Sequence, residues 1–143
     1  MFVDASVIIA ILTEEEDGKA CSQIIEGHER RPLITSVLAS WEATVGLFRK
    51  TKRTMDESRA IVGDFVRMVG IEVLPLDAED EALALRIFET RGRHRLSEDA
   101  GNMALNMADC FHYAVAKRRN VPILTKDQGF TRTDLATITI PSR

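Results

Sequence analysis

The chain has 143 residues, of which 45% are hydrophobic and 29% are charged, and its formal net charge is −3. This length and composition are typical of one globular domain that buries a sizeable core. They exclude a membrane span, because no apolar run approaches the roughly 20 residues that a span needs. Taken alone, the acidic balance also argues against a nucleic-acid binder.

Two features of the sequence predict a cytoplasmic protein. The apolar stretch 1–12 lacks a basic beginning and carries Asp4 in its middle, so it does not resemble a signal peptide. Cys21 and Cys110 are far apart, and neither belongs to a C-x-x-C pair. We therefore expect two small buried thiols in a reducing compartment.

Short apolar runs alternate with helical patterns along the chain. Strands are predicted at residues 1–3, 32–35, 71–74, 121–125 and 136–140. Helices are predicted between them, at residues 7–13, 14–28, 37–50, 55–69, 78–90 and 103–119. This order predicts a single α/β domain over residues 1–143. Its architecture would be a three-layer α/β/α sandwich around a short, mainly parallel sheet of four to five strands.

The helix predicted at residues 37–50 follows the second strand, with Ser36 as its cap. We expect this helix to bury the large apolar residues that recur at helical spacing, namely Val37 or Leu38, Trp41, Val45 and Phe48. Together with the next helix it forms an αα-hairpin. Thr54 and Glu57 form a capping box at the start of that second helix, and Gly70 ends it.

Carboxylates follow the strands at the points where these strands end. Asp4 follows the first strand, Glu42 lies on the first turns after the second, and Asp127 follows the fourth. Parallel strands place such residues at one edge of the sheet, where open α/β sheets bind ligands. Asp109 is expected to join them from the last long helix. There it shares a polar face with Asn102, Asn106 and Tyr113.

Each acid also has a plainer interpretation. Asp4 could be an ordinary helix cap, and Glu42 a solvated surface residue beside the small Ala39 and Ala43. Close carboxylates repel one another, however, unless they are protonated or neutralised. A hard cation with oxygen ligands, Mg²⁺ or Mn²⁺, neutralises them and keeps water for metal-assisted phosphoryl chemistry.

Other catalytic constellations are not visible in the sequence. It has no Gly-rich phosphate loop and no G-x-S-x-G motif. The histidines His28, His94 and His112 are scattered at spacings unsuited to zinc, and we expect surface or core roles for them.

Basic residues are clustered near predicted helix ends despite the negative net charge. The clusters are Arg49, Lys50, Lys52 and Arg53; Arg91, Arg93 and Arg95; and Lys117, Arg118 and Arg119. Two interpretations stay open for them. They are either solvated helix ends, where cations suit the helix dipole, or a phosphate-contacting rim around an acidic centre.

Four motifs in register carry a resemblance to a known family. They are residues 2–6 (FVDAS), 40–42 (SWE), 105–114 (LNMADCFHYA) with Ala116 and Lys117, and 123–130 (ILTKDQGF) with 133–135 (TDL). In these motifs the chain resembles the PIN-domain ribonucleases, and among them the VapC toxins of type II toxin–antitoxin pairs. It departs from that pattern at Ala108, at Asn102 and Met103, and at Lys126.

The resemblance implies a PIN-like fold and a toxin that hydrolyses RNA phosphodiester bonds with a metal-activated water. It implies that the catalytic and metal-binding residues are Asp4, Glu42, Asp109 and Asp127. Ser6, Thr125 and Asn106 would orient these carboxylates or the water. The implied cofactor is Mg²⁺, for which Mn²⁺ can substitute. The implied partners are an RNA substrate, a cognate VapB-type antitoxin and a second copy in a homodimer.

Two other classes of function remain as alternatives. The first is a catalytically silent, PIN-like dimeric scaffold. The intact acids disfavour it, because a protein without catalytic activity has no reason to tolerate carboxylates that repel one another. The second is a phosphotransfer enzyme with Asp4 as its nucleophile. That chemistry favours a second aspartate two residues further on, where this chain has Ser6.

Overall fold

A computed structural model describes residues 1–29, 32–96 and 103–140. The strands are β1 (Phe2–Val3), β2 (Leu33–Ser36), β3 (Ile71–Leu74), β4 (Ile123–Thr125) and β5 (Thr137–Thr139). The α-helices are α1 (Ala5–Leu12), α2 (Gly18–Glu26), α3 (Val37–Lys50), α4 (Met55–Val69), α5 (Ala78–Arg91) and α6 (Met107–Arg118). Among the described residues, Arg93–Arg95 and Gln128–Arg132 form 3-10 helices.

The five strands form one sheet in the order β3-β2-β1-β4-β5, and every neighbouring pair is parallel. β1 is the central strand, with Phe2 opposite Ile34 on one side and Ile123 on the other. Its residues are fully buried because helices cover the sheet. The predicted α/β sandwich with a short parallel sheet is confirmed, and the ends of β1 and β4 meet at one edge.

Most helix ends follow from the local signals in the sequence. Thr54 and Glu57 form the predicted capping box, and Gly70 ends α4 with a φ of 77°. The helix that carries Asp109 begins at Met107, four residues later than predicted, because the Asn106 side chain caps it. Asn102 lies outside the described residues, as do residues 97–101 of the loop that precedes it.

The predicted buried face of α3 is wrong. Trp41 is 63% exposed and Phe48 is 40% exposed, whereas Ala39, Ala43 and Leu47 are fully buried. The reason is the close approach of α1, since a Cβ added at Gly46 would lie 2.3 Å from Cδ1 of Ile9. At that separation only small side chains fit between the helices, and the large ones point outward.

The remaining expectations concern the thiols and the membrane. Cys21 and Cys110 are both free and buried, and burial raises the pKa of each thiol to about 11. They are therefore unreactive core residues. Within the described parts of the chain, no helix is both long and apolar enough to cross a membrane.

Candidate active site

Asp4 occupies the N-cap position of α1, yet its side chain makes no capping hydrogen bond. Instead, Oδ2 accepts hydrogen bonds from Oγ of Ser6 at 2.6 Å and from Oγ1 of Thr125 at 2.7 Å. The carboxylate is buried, with 5% of Asp4 exposed. The interpretation of Asp4 as an ordinary cap is therefore wrong. Two hydroxyls hold one of its oxygens and leave Oδ1 directed elsewhere.

The same two hydroxyls also organise the segment that follows β4. The backbone N–H of Lys126 donates to Oγ of Ser6 at 3.2 Å, and that of Asp127 donates to Oγ1 of Thr125 at 3.0 Å. Oδ1 of Asp127 accepts a hydrogen bond from the backbone of Gly129 at 2.6 Å. Burial and the negative charge of Asp4 raise the pKa of Asp127 even though this bond opposes the shift.

Asp109 lies on the first turn of α6 and forms a reciprocal pair with Asn106. The backbone N–H of Asn106 donates to Oδ2 of Asp109, and the backbone N–H of Asp109 donates to Oδ1 of Asn106, both at 2.9 Å. Burial raises the pKa of Asp109 to about 7, with further contributions from the charges of Asp127 and Asp4. Asp109 is therefore close enough to Asp4 and Asp127 for their negative charges to raise its pKa.

Tyr113 does not join these acids, although the predicted polar face included it. Its hydroxyl donates to Oδ1 of Asp134 at 2.6 Å, beside Lys117, which also binds Asp134. The polar face of α6 thus serves two different purposes along its length. Its first turn carries Asp109, and its second half fixes the segment before β5.

Glu42 is near the other acids, but a histidine holds it. Nε2 of His112 lies 2.5 Å from Oε1 of Glu42 and 3.8 Å from Oδ1 of Asp4. Burial alone would lower the pKa of His112. The hydrogen bond to Glu42 and the charges of Asp4, Glu42 and Asp109 outweigh that effect and raise the pKa. The imidazole therefore lies between two of the predicted metal ligands.

Sequence reasoning missed this histidine. We expected a surface or core role for His112, and it is indeed buried, but it contacts a predicted site residue. One signal was available, because His112 follows Asp109 by three positions in a helix. Residues three apart lie on the same face, so the two side chains point toward the same edge.

The donor chemistry of these acids fits a divalent cation, although the side chains are not arranged around one. Among the described residues, no group of three or more His, Cys, Asp or Glu side chains is placed so that it could hold a metal ion as it stands. In Asp4, Asp109 and Asp127, however, one carboxylate oxygen is held by hydrogen bonds. The other oxygen is the natural ligand atom. A hard cation would offset both causes that raise the pKa of Asp109 and Asp127, namely their burial and the negative charges of the neighbouring acids.

The basic clusters divide into paired and outward-facing residues. In the cluster at the end of α6, Lys117 binds Asp134, and Arg118 binds the acidic first turn of α5. Lys50 binds Glu15. The cluster near Arg93 instead lies beside the entry to α6, because the backbone N–H of Leu105 donates to the carbonyl of Arg91 at 3.1 Å.

The acidic run 14–17 also has a role that we did not predict. α2 begins only at Gly18, so these residues form the turn between α1 and α2. Nζ of Lys126 lies 2.5 Å from Oε2 of Glu15 and 2.8 Å from Oδ2 of Asp17. The run therefore anchors the segment that carries Asp127.

This parallel sheet, with its acids gathered at one edge, defines the class of the protein. The family model of the PIN domain matches residues 1–135, and the chain belongs to the PIN domain family. Two relatives of nearly the same length are both VapC ribonucleases. A VapC ribonuclease of Rhizobium meliloti (strain 1021) is 32% identical over 94% of this chain and 98% of its own length. A ribonuclease VapC of Mycolicibacterium smegmatis is 32% identical over 96% of this chain and 99% of its own.

Solved structures give the same fold. The sarcin-ricin loop cleaving toxin VapC20 of Mycobacterium tuberculosis matches with a TM-score of 0.72 at 14% identity, covering 96% of this chain and 98% of that one. A toxin–antitoxin complex from Klebsiella pneumoniae contains a chain that matches with a TM-score of 0.73 at 10% identity, covering 99% and 98%. The resemblance to PIN-domain ribonucleases of the VapC type is confirmed.

Proposed function

We propose that this protein is the toxin of a type II toxin–antitoxin pair, a metal-dependent endoribonuclease that works in the cytoplasm. The observation that carries the proposal is the convergence of Asp4, Asp109 and Asp127 at one sheet edge. There, burial and mutual repulsion raise the pKa of two of them. Full-length relatives named VapC ribonucleases support RNA as the substrate.

In this proposal Asp4, Glu42, Asp109 and Asp127 hold Mg²⁺, for which Mn²⁺ can substitute. When bound, the ion lowers the pKa of a water molecule and neutralises charge on the scissile phosphate. Ser6 and Thr125 orient the carboxylate of Asp4 through their hydroxyls. Asn106 orients Asp109 through the paired capping bonds.

Glu42 is the proposed ligand nearest to solvent. Its side chain is 29% exposed, whereas that of Asp4 is only 7% exposed, so Glu42 borders the opening of the site. Oε1 is engaged by His112, which leaves Oε2 to face the cation. Water attacks phosphorus directly, and no covalent enzyme intermediate forms.

Exposed apolar side chains support two protein partners. A VapB-type antitoxin would cover the αα-hairpin, where Trp41 is 63% exposed and Met68 is 87% exposed. A second copy would cover the groove between α5 and α6, where Leu85 and Met107 are 62% and 67% exposed. Under the proposed homodimer, Leu85→Glu would yield monomers in analytical ultracentrifugation, and Met68→Glu would not.

The test is cleavage of total cellular RNA by the purified, antitoxin-free protein with Mn²⁺ and then with EDTA. We expect discrete fragments that disappear with EDTA and with Asp4→Asn. The matched control is Asp64→Asn, an equivalent change at an exposed aspartate on α4. Undiminished cleavage by a folded Asp4→Asn protein would overturn the proposal.

The silent dimeric scaffold is the second candidate, and the absence of a preassembled metal cluster among the described residues favours it. The two candidates differ in calorimetry with Mn²⁺. A nuclease binds the ion and loses that binding in Asp109→Asn, whereas a scaffold shows no binding at all.

A further inference from the structure

His112 is a buried polar side chain whose ring is fixed by its surroundings. It is fully buried, and its ring centroid lies 5.4 Å from that of Phe2 on the central strand, with 34° between the planes. Among the described residues, its Nδ1 is buried with no hydrogen-bond partner. Packing alone would be satisfied by an apolar ring, so the polar character of the residue is used at Nε2.

The Nε2 bond joins two elements that each carry a predicted metal ligand. Glu42 projects from α3, and His112 lies one turn after Asp109 on α6. Nε2 and Oε1 lie within hydrogen-bond distance across 70 positions of sequence, and a hydrogen bond to a carboxylate is stronger than one between neutral groups. Glu42 is partly exposed, and without this donor its flexible side chain would be free to extend into solvent.

We propose that His112 is a positioning residue, which holds the Glu42 carboxylate beside Asp4 and so preorganises the acidic site for its cation. The proposal rests on the proposed metal-dependent function and adds a role that the four acids do not supply. His112 is not itself a ligand in this arrangement. The hydrogen on Nε2 is donated to Glu42, and Nδ1 is enclosed by the core.

Two substitutions separate the hydrogen bond from the packing. His112→Phe keeps a ring against Phe2 but removes the donor, whereas His112→Gln loses the ring but can place an amide N–H near Oε1. Calorimetry with Mn²⁺ on the full, antitoxin-free chain should show about a tenfold loss of affinity for His112→Phe. It should show recovery of most of that affinity for His112→Gln. A role in packing alone predicts the reverse order and overturns the proposal.

The matched control is His94→Phe, the same chemical change at an exposed histidine on the 3-10 helix Arg93–Arg95. Its affinity for Mn²⁺ should equal that of the wild type. A loss as large as that of His112→Phe would show that the effect is not specific to His112, and this would also overturn the proposal.

A double-mutant cycle tests whether His112 acts through Glu42. In a Glu42→Gln background, His112→Phe should cause no further loss of Mn²⁺ affinity, because the carboxylate that it positions is gone. RNA cleavage by His112→Phe alone should show a lower kcat with little change in KM. An undiminished tenfold effect in the Glu42→Gln background would overturn the proposal.

A measurement on the intact core covers the case in which His112→Phe does not fold. Proton NMR of the wild type should show a strongly downfield imidazole N–H signal, which disappears in Glu42→Ala. Its absence from the wild type would overturn the proposal.

If the wild type binds and cleaves normally and His112→Phe matches it, only this proposal fails. If the wild type neither binds Mn²⁺ nor cleaves RNA, the proposed function fails with it.

Discussion

The burial of Asp109 places a carboxylate in the candidate site, but the same burial lowers the stability of the fold when this carboxylate is charged. Its ordinary pKa is 3.8, and the fold raises it to about 7, mainly by burial. The unfolded chain therefore loses this proton more readily than the folded chain does. Stability conferred by the protonated carboxyl is complete below the ordinary pKa of 3.8, and it is lost as the pH rises from there through about 7.

Removing that charge should therefore stabilise the metal-free protein. We expect Asp109→Asn to raise the free energy of unfolding by a few kcal/mol, on the order of one kcal/mol per unit of pKa shift, at about pH 8. The gain should vanish near pH 4. Urea denaturation in EDTA at the two pH values measures it, with Asp64→Asn as the exposed control. A less stable Asp109→Asn at pH 8 would contradict this account.

The stabilisation of the protein by Mn²⁺ should also depend on Asp109. Mn²⁺ ought to raise the Tm of the wild type more at about pH 7.5 than at about pH 5, since protons compete with the ion for Asp109 at the lower pH. Asp109→Asn should lose most of this shift. Equal shifts for wild type and variant in thermal denaturation would place the ion elsewhere.

At the scale of elements, Lys126 connects two segments that are distant in sequence. It joins the end of β4 to the turn between α1 and α2 through Glu15 and Asp17. The bonds from Lys126, and those from Lys50, lower the pKa of Glu15 to about 2. This network holds the backbone segment that presents Asp127.

Replacing this lysine by an apolar residue of similar length should loosen that segment. Lys126→Met is expected to lower the free energy of unfolding by about 1 kcal/mol at low salt, and by less in about 1 M NaCl, where the pairs are screened. It should also slow RNA cleavage. Lys19→Met, at an exposed position on α2, is the control in chemical denaturation and cleavage assays. A salt-independent loss would argue for packing instead.

How much the sequence can predict differs between elements. Acids at strand ends could be placed because parallel strands end at one edge, whatever the details of packing. The sequence could not predict which face of α3 is buried. Apolar residues occupy both faces of this helix, and its distance to α1 decides which of them fit inside. His112 and Lys126 form bonds across 70 and 111 positions of sequence. The local spacing of residues in the sequence cannot identify partners at such distances along the chain.

At the scale of the whole molecule, the distribution of charge matters more than the net charge of −3. Arg118 is bound by Asp77, Glu79 and Asp80, so it stabilises the packing of α6 on α5. The cluster around Arg93 and Arg95 is exposed and lies beside the segment that leads to Asp109. We expect this cluster to contact RNA phosphates.

A double substitution tests that assignment. Arg93→Gln with Arg95→Gln should weaken RNA binding and reduce the slope of log affinity against log salt by about 1.4, which is about 0.7 for each phosphate contact on a single strand. Fluorescence anisotropy with the inactive Asp4→Asn protein measures both without cleavage. Arg67→Gln, at an exposed arginine of α4, should change neither quantity. An unchanged salt slope in the double variant would assign RNA binding to another surface.

The central position of β1 also determines when activity can appear during synthesis. Thr125 donates its hydroxyl to Asp4 across 121 positions, and β1 pairs with β4 along its whole length. Such contacts raise the contact order and slow folding, because a long loop must close before they form. The acidic site therefore cannot assemble on a nascent chain until β4 has emerged. Under the proposed function, we expect no RNA cleavage by the growing chain before that point.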